Sequence, residues 1–271
     1  MSLALSPQVF SILNGLIEGR AGVRYRPEDI ELVRDKISAR AEAVGFESLL
    51  DYYYFLRYDE AGSAELDALV DAVVVHETYF FREADQLEVL LRLLLARKLS
   101  EEATVRIWCA ACATGEEPFT LAMMLADLGQ LQRVRIIASD ISERALAKAR
   151  SGEFSPRAFR GLPRGVEGRW IDRQGDRIRI SPALASAIEW RRMNLLDREA
   201  VAGLGRFDAV LARNVLIYFG DDTIRRVVSH LSDALMPGGF LLVGASESLL
   251  RYGTSLVCEE HGGAFFYRRT Q

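Results

Sequence analysis

Two acids and a run of small residues follow a short apolar segment near the middle of the chain. Residues 110–115 are Ala, Ala, Cys, Ala, Thr and Gly, and Glu116 and Glu117 come next, where a helical pattern begins. Small side chains let a ligand approach the backbone closely, as cofactors do at strand-to-helix turns. Two carboxylates there would repel a pyrophosphate, but they suit a cationic or hydroxyl-rich ligand. Taken alone, at least one of the two acids is better explained as stabilising a helix N-terminus.

Asp140 stands 25 positions after Gly115, at the end of a second apolar run. A carboxylate at this place can accept hydrogen bonds from both hydroxyls of a ribose. It could instead cap the next helix, although Ser142 would serve equally well. The glycine fingerprint of a dinucleotide site is absent. A small-residue turn, an acid on the second strand and no phosphate cradle together suggest S-adenosylmethionine, which has a ribose and a sulfonium but no phosphate.

The elements that must position these residues alternate between short apolar strands and amphipathic helices. This alternation predicts an α/β fold with a doubly wound, mostly parallel Rossmann-like sheet. Ligands of such sheets bind at the carboxyl ends of the strands. We expect strands over residues 105–110, 134–139, 188–192, 209–212 and 240–243, helices over 116–128, 142–150 and 221–235, a turn at 237–239, and an edge strand over 264–267.

An arginine-rich stretch interrupts the alternation. Residues 157–192 hold nine arginines and four acids, and Gly175-Asp176 is suited to turn a small hairpin. We therefore predict a small antiparallel β insertion over residues 157–187. A nucleic-acid patch is the rival interpretation, but few aromatic side chains interleave the arginines.

The N-terminal part of the chain differs from the remainder in its hydrophobic pattern and in its charge. Residues 1–75 show helical spacing and carry 13 acidic and 7 basic side chains, a balance of -6, whereas the remainder carries 25 and 27, a balance of +2. We predict a helical domain over residues 1–75, a linker with a cofactor-covering segment over 76–103, and a cofactor-binding domain over 104–271.

Composition and cysteine spacing bear on where the protein acts and on whether it binds a metal. No apolar run approaches the roughly 20 residues that span a bilayer, and no signal-peptide pattern opens the chain. Three cysteines fit a reducing cytoplasm, where we expect the protein to act. Cys109 and Cys112 form a C-x-x-C without a second pair or a nearby histidine, so we predict no metal site.

Taken together, several motifs resemble the CheR-type chemotaxis receptor methyltransferases, and the resemblance covers nearly the whole chain. The motifs occur in the family's order at residues 76–83, 108–118, 138–141, 194–196, 213–219 and 244–249. The resemblance implies an S-adenosylmethionine-dependent protein-glutamate O-methyltransferase. Its substrate would be the cytoplasmic helical bundle of a methyl-accepting chemoreceptor, which the N-terminal helices would help to recognise.

The resemblance also implies roles for individual residues. The segment from residue 76 would lie over the cofactor, where Thr78 and Arg82 would contact it. His76 stands where the family commonly has Asn, and an imidazole cannot both donate and accept as an amide does. Gly115 and Glu116 would contact the amino-acid portion of the cofactor.

The remaining implied contacts follow later strands. Asp140 would hold the ribose. Asn194 and Leu195 would bracket the adenine, Arg213 and Asn214 would lie along the cofactor, and Arg82 and Tyr218 would flank the departing methyl group.

Some family members bind a receptor-terminal pentapeptide through the β insertion. The turn at residues 174–176 is short, so we expect no such tether here. The alternatives are a methyltransferase of the same fold that acts on another protein or RNA, and a signalling scaffold that binds the cofactor without turnover.

Overall fold

A computed structural model describes residues 3–98, 104–163, 166, 168–175 and 177–270, with the side chains of residues 97 and 98 left undescribed. The chain divides into two compact units. The first, called here the helical unit, comprises Met1–Val75 and Tyr218–Thr223. The second, called the catalytic unit for the activity that the resemblance implies, comprises His76–Ile217 and Ile224–Gln271. No helix in the described ranges has both the length and the apolar character that crossing a membrane requires.

The helical unit is built from four α-helices. They are α1 (Pro7–Ala21), α2 (Ile30–Ala43), α3 (Leu49–Tyr58) and α4 (Gly62–Val73), with a 3-10 turn at Pro27–Asp29 before α2. Serines cap two of these helices: Ser6 accepts the Val9 N–H at 3.2 Å, and Ser48 accepts the Asp51 N–H at 3.3 Å. Apolar side chains from the helices fill the centre of the unit, as the helical spacing predicts.

A buried acid joins three helices of this unit. Glu65 on α4 is 8% exposed and accepts hydrogen bonds from Arg40 on α2 and from the Tyr52 hydroxyl on α3, the latter at 2.6 Å. A Cβ added at Gly62 would lie 2.8 Å from the Leu56 carbonyl oxygen, so glycine lets α4 start close against α3. The helical unit is thus held by a satisfied polar cluster as well as by apolar packing.

The catalytic unit contains a seven-stranded sheet. Its strands are β1 (Val105–Ala110), β2 (Val134–Asp140), β6 (Ile188–Arg192), β7 (Phe207–Ala212), β8 (Leu235–Val243), β9 (Val257–His261) and β10 (Ala264–Arg268). Their order is β6-β2-β1-β7-β8-β10-β9, and the first five are parallel. The predicted α/β sheet is confirmed, and β1 and β6 have the predicted bounds.

In the described part of the chain, six helices accompany this sheet. They are α5 (Ala84–Lys98), α6 (Glu116–Asp127), α7 (Glu143–Ser151), α8 (Pro182–Ala185), α9 (Arg198–Gly203) and α10 (Asp221–Asp233). Alternation along β1 sends Ile107 and Cys109 to one face, where they pack with buried residues of α5 and α6. Trp108 points to the other face and contacts the Phe207 ring at 5.6 Å between centroids.

The predicted antiparallel insertion is present as a three-stranded sheet. It is formed by β3 (Glu153–Phe154), β4 (Ile171–Gln174) and β5 (Arg177–Ile180) in the order β3-β5-β4. Gln174 pairs with Arg177, so the turn between β4 and β5 occupies two positions. One of them, Asp176, lies outside the described residues.

Two local expectations are wrong. The hairpin of β9 and β10 places β10 between β8 and β9, so β9 rather than residues 264–267 forms the edge. The predicted turn at residues 237–239 lies inside β8, because the Gly238 N–H donates to the Arg269 carbonyl at 2.6 Å and the Arg269 N–H donates to Gly239 at 2.9 Å. This pairing with the chain end continues the strand through the proline and glycines.

Candidate functional site at the carboxyl edge of the sheet

The turn after β1 is strained and closely packed. Ala111, Ala113 and Gly115 all have positive φ, at 57°, 49° and 94°. A Cβ at Gly115 would lie 2.8 Å from both the Ala149 Cβ and the Trp190 ring, so glycine is required there. Residues other than glycine adopt such backbone conformations only where surrounding contacts stabilise them. Residues strained in this way are common in binding sites.

Asp140 holds this turn in place from the end of β2. One of its oxygens accepts the Ala113 N–H at 2.8 Å and the other accepts the Ser142 N–H at 2.9 Å. Ser142 in turn caps α7 by accepting the Ala145 N–H at 3.0 Å. Ser142 is therefore the N-cap of α7. The Asp140 carboxylate, in a residue that is 7% exposed, instead fixes the turn after β1 at the carboxyl edge of the sheet.

The neighbouring acids of α6 have different surroundings. Glu116 is 2% exposed and accepts a hydrogen bond from the Thr114 hydroxyl at 2.6 Å. Burial raises the pKa of its carboxyl above the ordinary value, although Thr114, Lys148 and Arg160 oppose the rise. Glu117 instead forms an ion pair of 2.7 Å with Arg213.

Arg213, directly after β7, is the centre of a buried ion-pair network. Its side chain is 3% exposed, and besides Glu117 it binds the Glu83 carboxylate at 3.0 Å and the Arg82 carbonyl at 2.7 Å. Its Nε is buried and meets no hydrogen-bond acceptor among the described residues. Arg213 thus ties the segment around residue 82 to the carboxyl edge of the sheet, and its predicted contact with the cofactor stays a prediction.

The segment at residues 76–83 is anchored at its centre as well. The Phe80 ring is fully buried and stacks on the Phe159 ring, with 4.5 Å between the ring centroids. The backbone N–H of Phe80 donates to the Ala158 carbonyl at 2.8 Å. The Phe81 N–H donates to the Thr120 hydroxyl at 3.0 Å. Phe81 has a φ of 60°, so this anchored backbone is strained in the same way as the turn after β1.

These anchors leave Arg82 on a rigid backbone. Glu83 has a φ of 51°, so the residues on both sides of Arg82 are strained. The Arg82 side chain donates to the Glu77 carbonyl at 3.3 Å, lies 4.0 Å from the Glu83 carboxylate, and sits 5.8 Å from the centre of the Tyr79 ring. The 4.0 Å contact with Glu83 is a long ion pair, and the Glu83 carboxylate binds Arg213 more closely, at 3.0 Å. The Arg82 side chain is 28% exposed.

Glu247 is a residue of the site that sequence reasoning missed. Its carboxylate accepts four backbone N–H groups: those of Asn214 and Gly244 at 2.7 Å, Leu216 at 2.8 Å and Ile217 at 3.2 Å. Asn214 has a φ of 57°. Glu247 lies in the motif at residues 244–249, which was the available sequence signal. Its hydrogen bonds, however, are with a loop thirty residues earlier in the chain, and the motif alone does not indicate them.

Asn194 and Leu195 follow β6 at the same edge. The Asn194 side chain accepts the Leu196 N–H at 3.0 Å, and Leu195 is buried. The Leu195 carbonyl lies 2.9 Å from Nδ1 of His230 on α10.

A cleft of about 470 Å³ opens beside the strained turn. It brings three of the predicted site residues together, namely His76, Thr78 and Glu116. Its other lining residues are Glu77, Thr114, Arg144, Ala145, Lys148, Ser155, Arg157, Ala158 and Arg160.

Tyr218 is placed with the helical unit. Its carbonyl accepts the Arg24 N–H at 2.9 Å, and Phe219 forms an antiparallel bridge with Val23. Its predicted role beside Arg82 is not tested by this arrangement.

The site fits a cofactor that is cationic and hydroxylated. Buried carboxylates at Glu116 and Asp140 flank a turn with no room for larger side chains, and burial disfavours charge on Glu116 until a cation arrives. Cys109 and Cys112 are buried thiols whose pKa values burial raises, and the described residues include no group of His, Cys, Asp or Glu suited to a metal ion. The fold and site define a Rossmann-like enzyme that binds a phosphate-free nucleoside cofactor.

Comparisons with known proteins identify the family. Residues 76–260 match the SAM-binding domain of CheR methyltransferases, and residues 8–74 match the family's all-alpha domain. The chain belongs to the CheR methyltransferase family. It is an S-adenosylmethionine-dependent methyltransferase, and Glu116 and Asp140 are suited to hold that cofactor.

Relatives cover most of the chain. Chemotaxis protein methyltransferase 1 of Pseudomonas aeruginosa is 35% identical over 89% of this chain and 90% of its own length. Chemotaxis protein methyltransferase 2 of Vibrio cholerae is 33% identical over 86% and 82%, and the chemotaxis protein methyltransferase of Escherichia coli is 34% identical over 91% and 86%.

Proposed function

We propose that this protein transfers a methyl group from S-adenosylmethionine to glutamate side chains in the cytoplasmic domain of a chemoreceptor. The product would be a glutamate methyl ester, and the reaction would take place in the cytoplasm. The names of the relatives support the chemotaxis setting. The structural observation that carries the proposal is Arg82, a partly exposed guanidinium that has a long ion pair with Glu83 and stands on an anchored, strained backbone.

The residue types fit this chemistry. A glutamate carboxylate has a reference pKa near 4.3, so it is ionised at neutral pH and needs no general base. When bound, the cofactor supplies an electrophilic methyl group. The enzyme's task is to strip water from the carboxylate and to orient one oxygen, which Arg82 would do through charge-assisted hydrogen bonds.

Glu116 and Asp140 would hold the cofactor from the other side. Glu116 would accept from the amino group and Asp140 from the ribose hydroxyls. Thr78 lines the same cleft as Glu116, and Asn194 with Leu195 would bracket the adenine. The role of Tyr218 beside the methyl group stays a prediction.

Replacing Arg82 tests this assignment. Arg82→Ala should lower kcat for methyl transfer by roughly 100-fold or more, because the carboxylate loses its orienting charge. Arg82→Lys should recover only part of that loss, since an ammonium lacks the planar fork. Thermal melting should stay close to that of the wild type, because the contacts described for this partly exposed guanidinium are long: 3.3 Å to the Glu77 carbonyl and 4.0 Å to the Glu83 carboxylate.

The matched control is Arg177→Ala on β5, an exposed arginine outside the cleft. It should leave kcat unchanged. Turnover of Arg82→Ala at the level of this control would refute the assignment.

A further inference from the structure

Four cations surround the mouth of the cleft. Arg144 and Lys148 lie on α7, and Arg157 and Arg160 lie at the start of the insertion. All four are exposed, whereas the floor is made of buried residues that include Glu116, Ala145 and Ala158. We call these four residues the basic rim.

Cations outnumber acids among the residues that line the cleft. Arg160 forms an ion pair of 3.3 Å with Glu77 and lies over the Tyr79 ring at 4.2 Å. The side chains of Lys148 and Arg157 form no hydrogen bond or ion pair with a described residue. Against four cations the cleft sets two acids, Glu77 at the mouth and buried Glu116 on the floor. Glu116 is the weaker counterion, because burial raises its pKa.

Among the described residues of the helical unit, the cations of α2 do not form a comparable basic surface. Residues 1–75 carry a balance of -6. The three cations of α2 are engaged within the unit. Arg40 binds Glu65, Lys36 donates to the Val73 carbonyl at 3.1 Å, and Arg34 pairs with Glu31 at 2.6 Å.

An acidic protein substrate would therefore meet attraction at the catalytic unit, which has the positive balance, rather than at α2. Exposed cations around a cleft focus the electrostatic potential and steer anionic partners towards it. The cleft also contains Thr78 and Glu116, the residues expected to touch the cofactor. A substrate held at the basic rim would thus present its carboxylates next to the cofactor.

We propose that the basic rim docks acidic side chains that flank the methyl-accepting glutamate on the protein substrate. The inference rests on the proposed function, since it names the surface by which that substrate is recognised. It makes substrate affinity depend on the charge of Arg157, while cofactor affinity does not depend on it.

The test uses the variant Arg157→Gln in the full chain. The control is Arg177→Gln, which removes the same charge from an exposed position outside the cleft. Binding of a fluorescein-labelled chemoreceptor cytoplasmic fragment is measured by anisotropy at low salt, with S-adenosylhomocysteine affinity measured by calorimetry. Methyl transfer to the same fragment is measured in parallel.

We expect the rim variant to bind the fragment at least fivefold more weakly than the control, with a matching rise in KM and a shallower salt dependence. Its affinity for S-adenosylhomocysteine should stay within twofold of the wild type. Equal fragment binding by the two variants would overturn the proposal, and so would a loss confined to S-adenosylhomocysteine, which would assign the rim to the cofactor's carboxylate.

The two proposals fail differently. A wild-type enzyme that binds the fragment through the rim but transfers no methyl group would refute the proposed function alone. Methyl transfer with rim-independent binding would refute only the docking surface.

Discussion

Glu116 and Glu117 are adjacent in the sequence but have different electrostatic surroundings, because their side chains pack against different groups. Glu117 is neutralised by Arg213, whereas Glu116 is buried with a hydroxyl as its closest partner. Burial without a close cation raises the pKa of Glu116. In the free enzyme this carboxylate costs stability, and a cationic cofactor removes that cost.

Glu116→Gln tests this account through pH. Because the folded-state pKa is raised, wild-type stability falls as pH rises from about 4.5 through the folded value. The glutamine has no such charge, so at pH 7.5 the variant should be more stable than the wild type, and this advantage should disappear near pH 4. Urea unfolding of both proteins at the two pH values measures it.

The same substitution should weaken S-adenosylmethionine binding by about tenfold or more, since the ammonium loses its charged partner. Calorimetry measures this affinity, which in the wild type should also fall as acid protonates Glu116. A glutamine variant that is less stable at pH 7.5, or that binds the cofactor normally, would contradict the assignment.

At the scale of elements, the loops after β7 and β8 are joined by one carboxylate. Glu247 gathers four N–H groups that no regular structure satisfies, and three of them belong to the loop from Asn214 to Ile217. A Cβ at Gly244 would lie 2.9 Å from the same carboxylate, so the junction has no spare room. The position of Asn214 therefore depends on Glu247.

Glu247→Gln should disturb this junction without changing its size. An amide offers one acceptor oxygen and turns its NH₂ towards two of the N–H groups, which should cost about 1–3 kcal/mol of stability. We expect kcat to fall by about tenfold as well. The control is Glu260→Gln, which affects a single N–H, that of Gly263 in an exposed turn. Normal kcat in the Glu247 variant would show that the junction does not position the site.

The sequence predicts most of the elements because their signals are local. Strand β1 and the start of α6 follow from an apolar run and a helical pattern around the small-residue turn. Residues paired across long separations escape such reasoning. The sequence of residues 237–239 suggests a turn, whereas their pairing with Arg269 makes them part of β8. The ion pairs of Arg213 with Glu83 and Glu117 also join distant positions, and the predicted contact of Arg213 with the cofactor stays a prediction.

At the scale of the whole molecule, the net charge of -4 combines an acidic helical unit with a slightly basic remainder. This asymmetry is one reason why we propose that an acidic substrate is recognised at the basic rim and not on the helical unit.

The β insertion leads to a further expectation. Its strands β4 and β5 are four residues long and are joined across two positions, which leaves little edge for an added peptide. We predict no tight binding of a receptor-terminal pentapeptide. Calorimetry should show no saturation at micromolar peptide, and a micromolar Kd would contradict the prediction.

The central claim is ester formation on receptor glutamates, and the lability of the transferred label tests it most directly. The wild-type protein is incubated with S-adenosylmethionine tritiated in its methyl group and with membranes that contain chemoreceptors. We predict label on the receptor that mild base releases as methanol, because carboxyl methyl esters hydrolyse there. Label that survives base, label on RNA, or no transfer at all would contradict the claim.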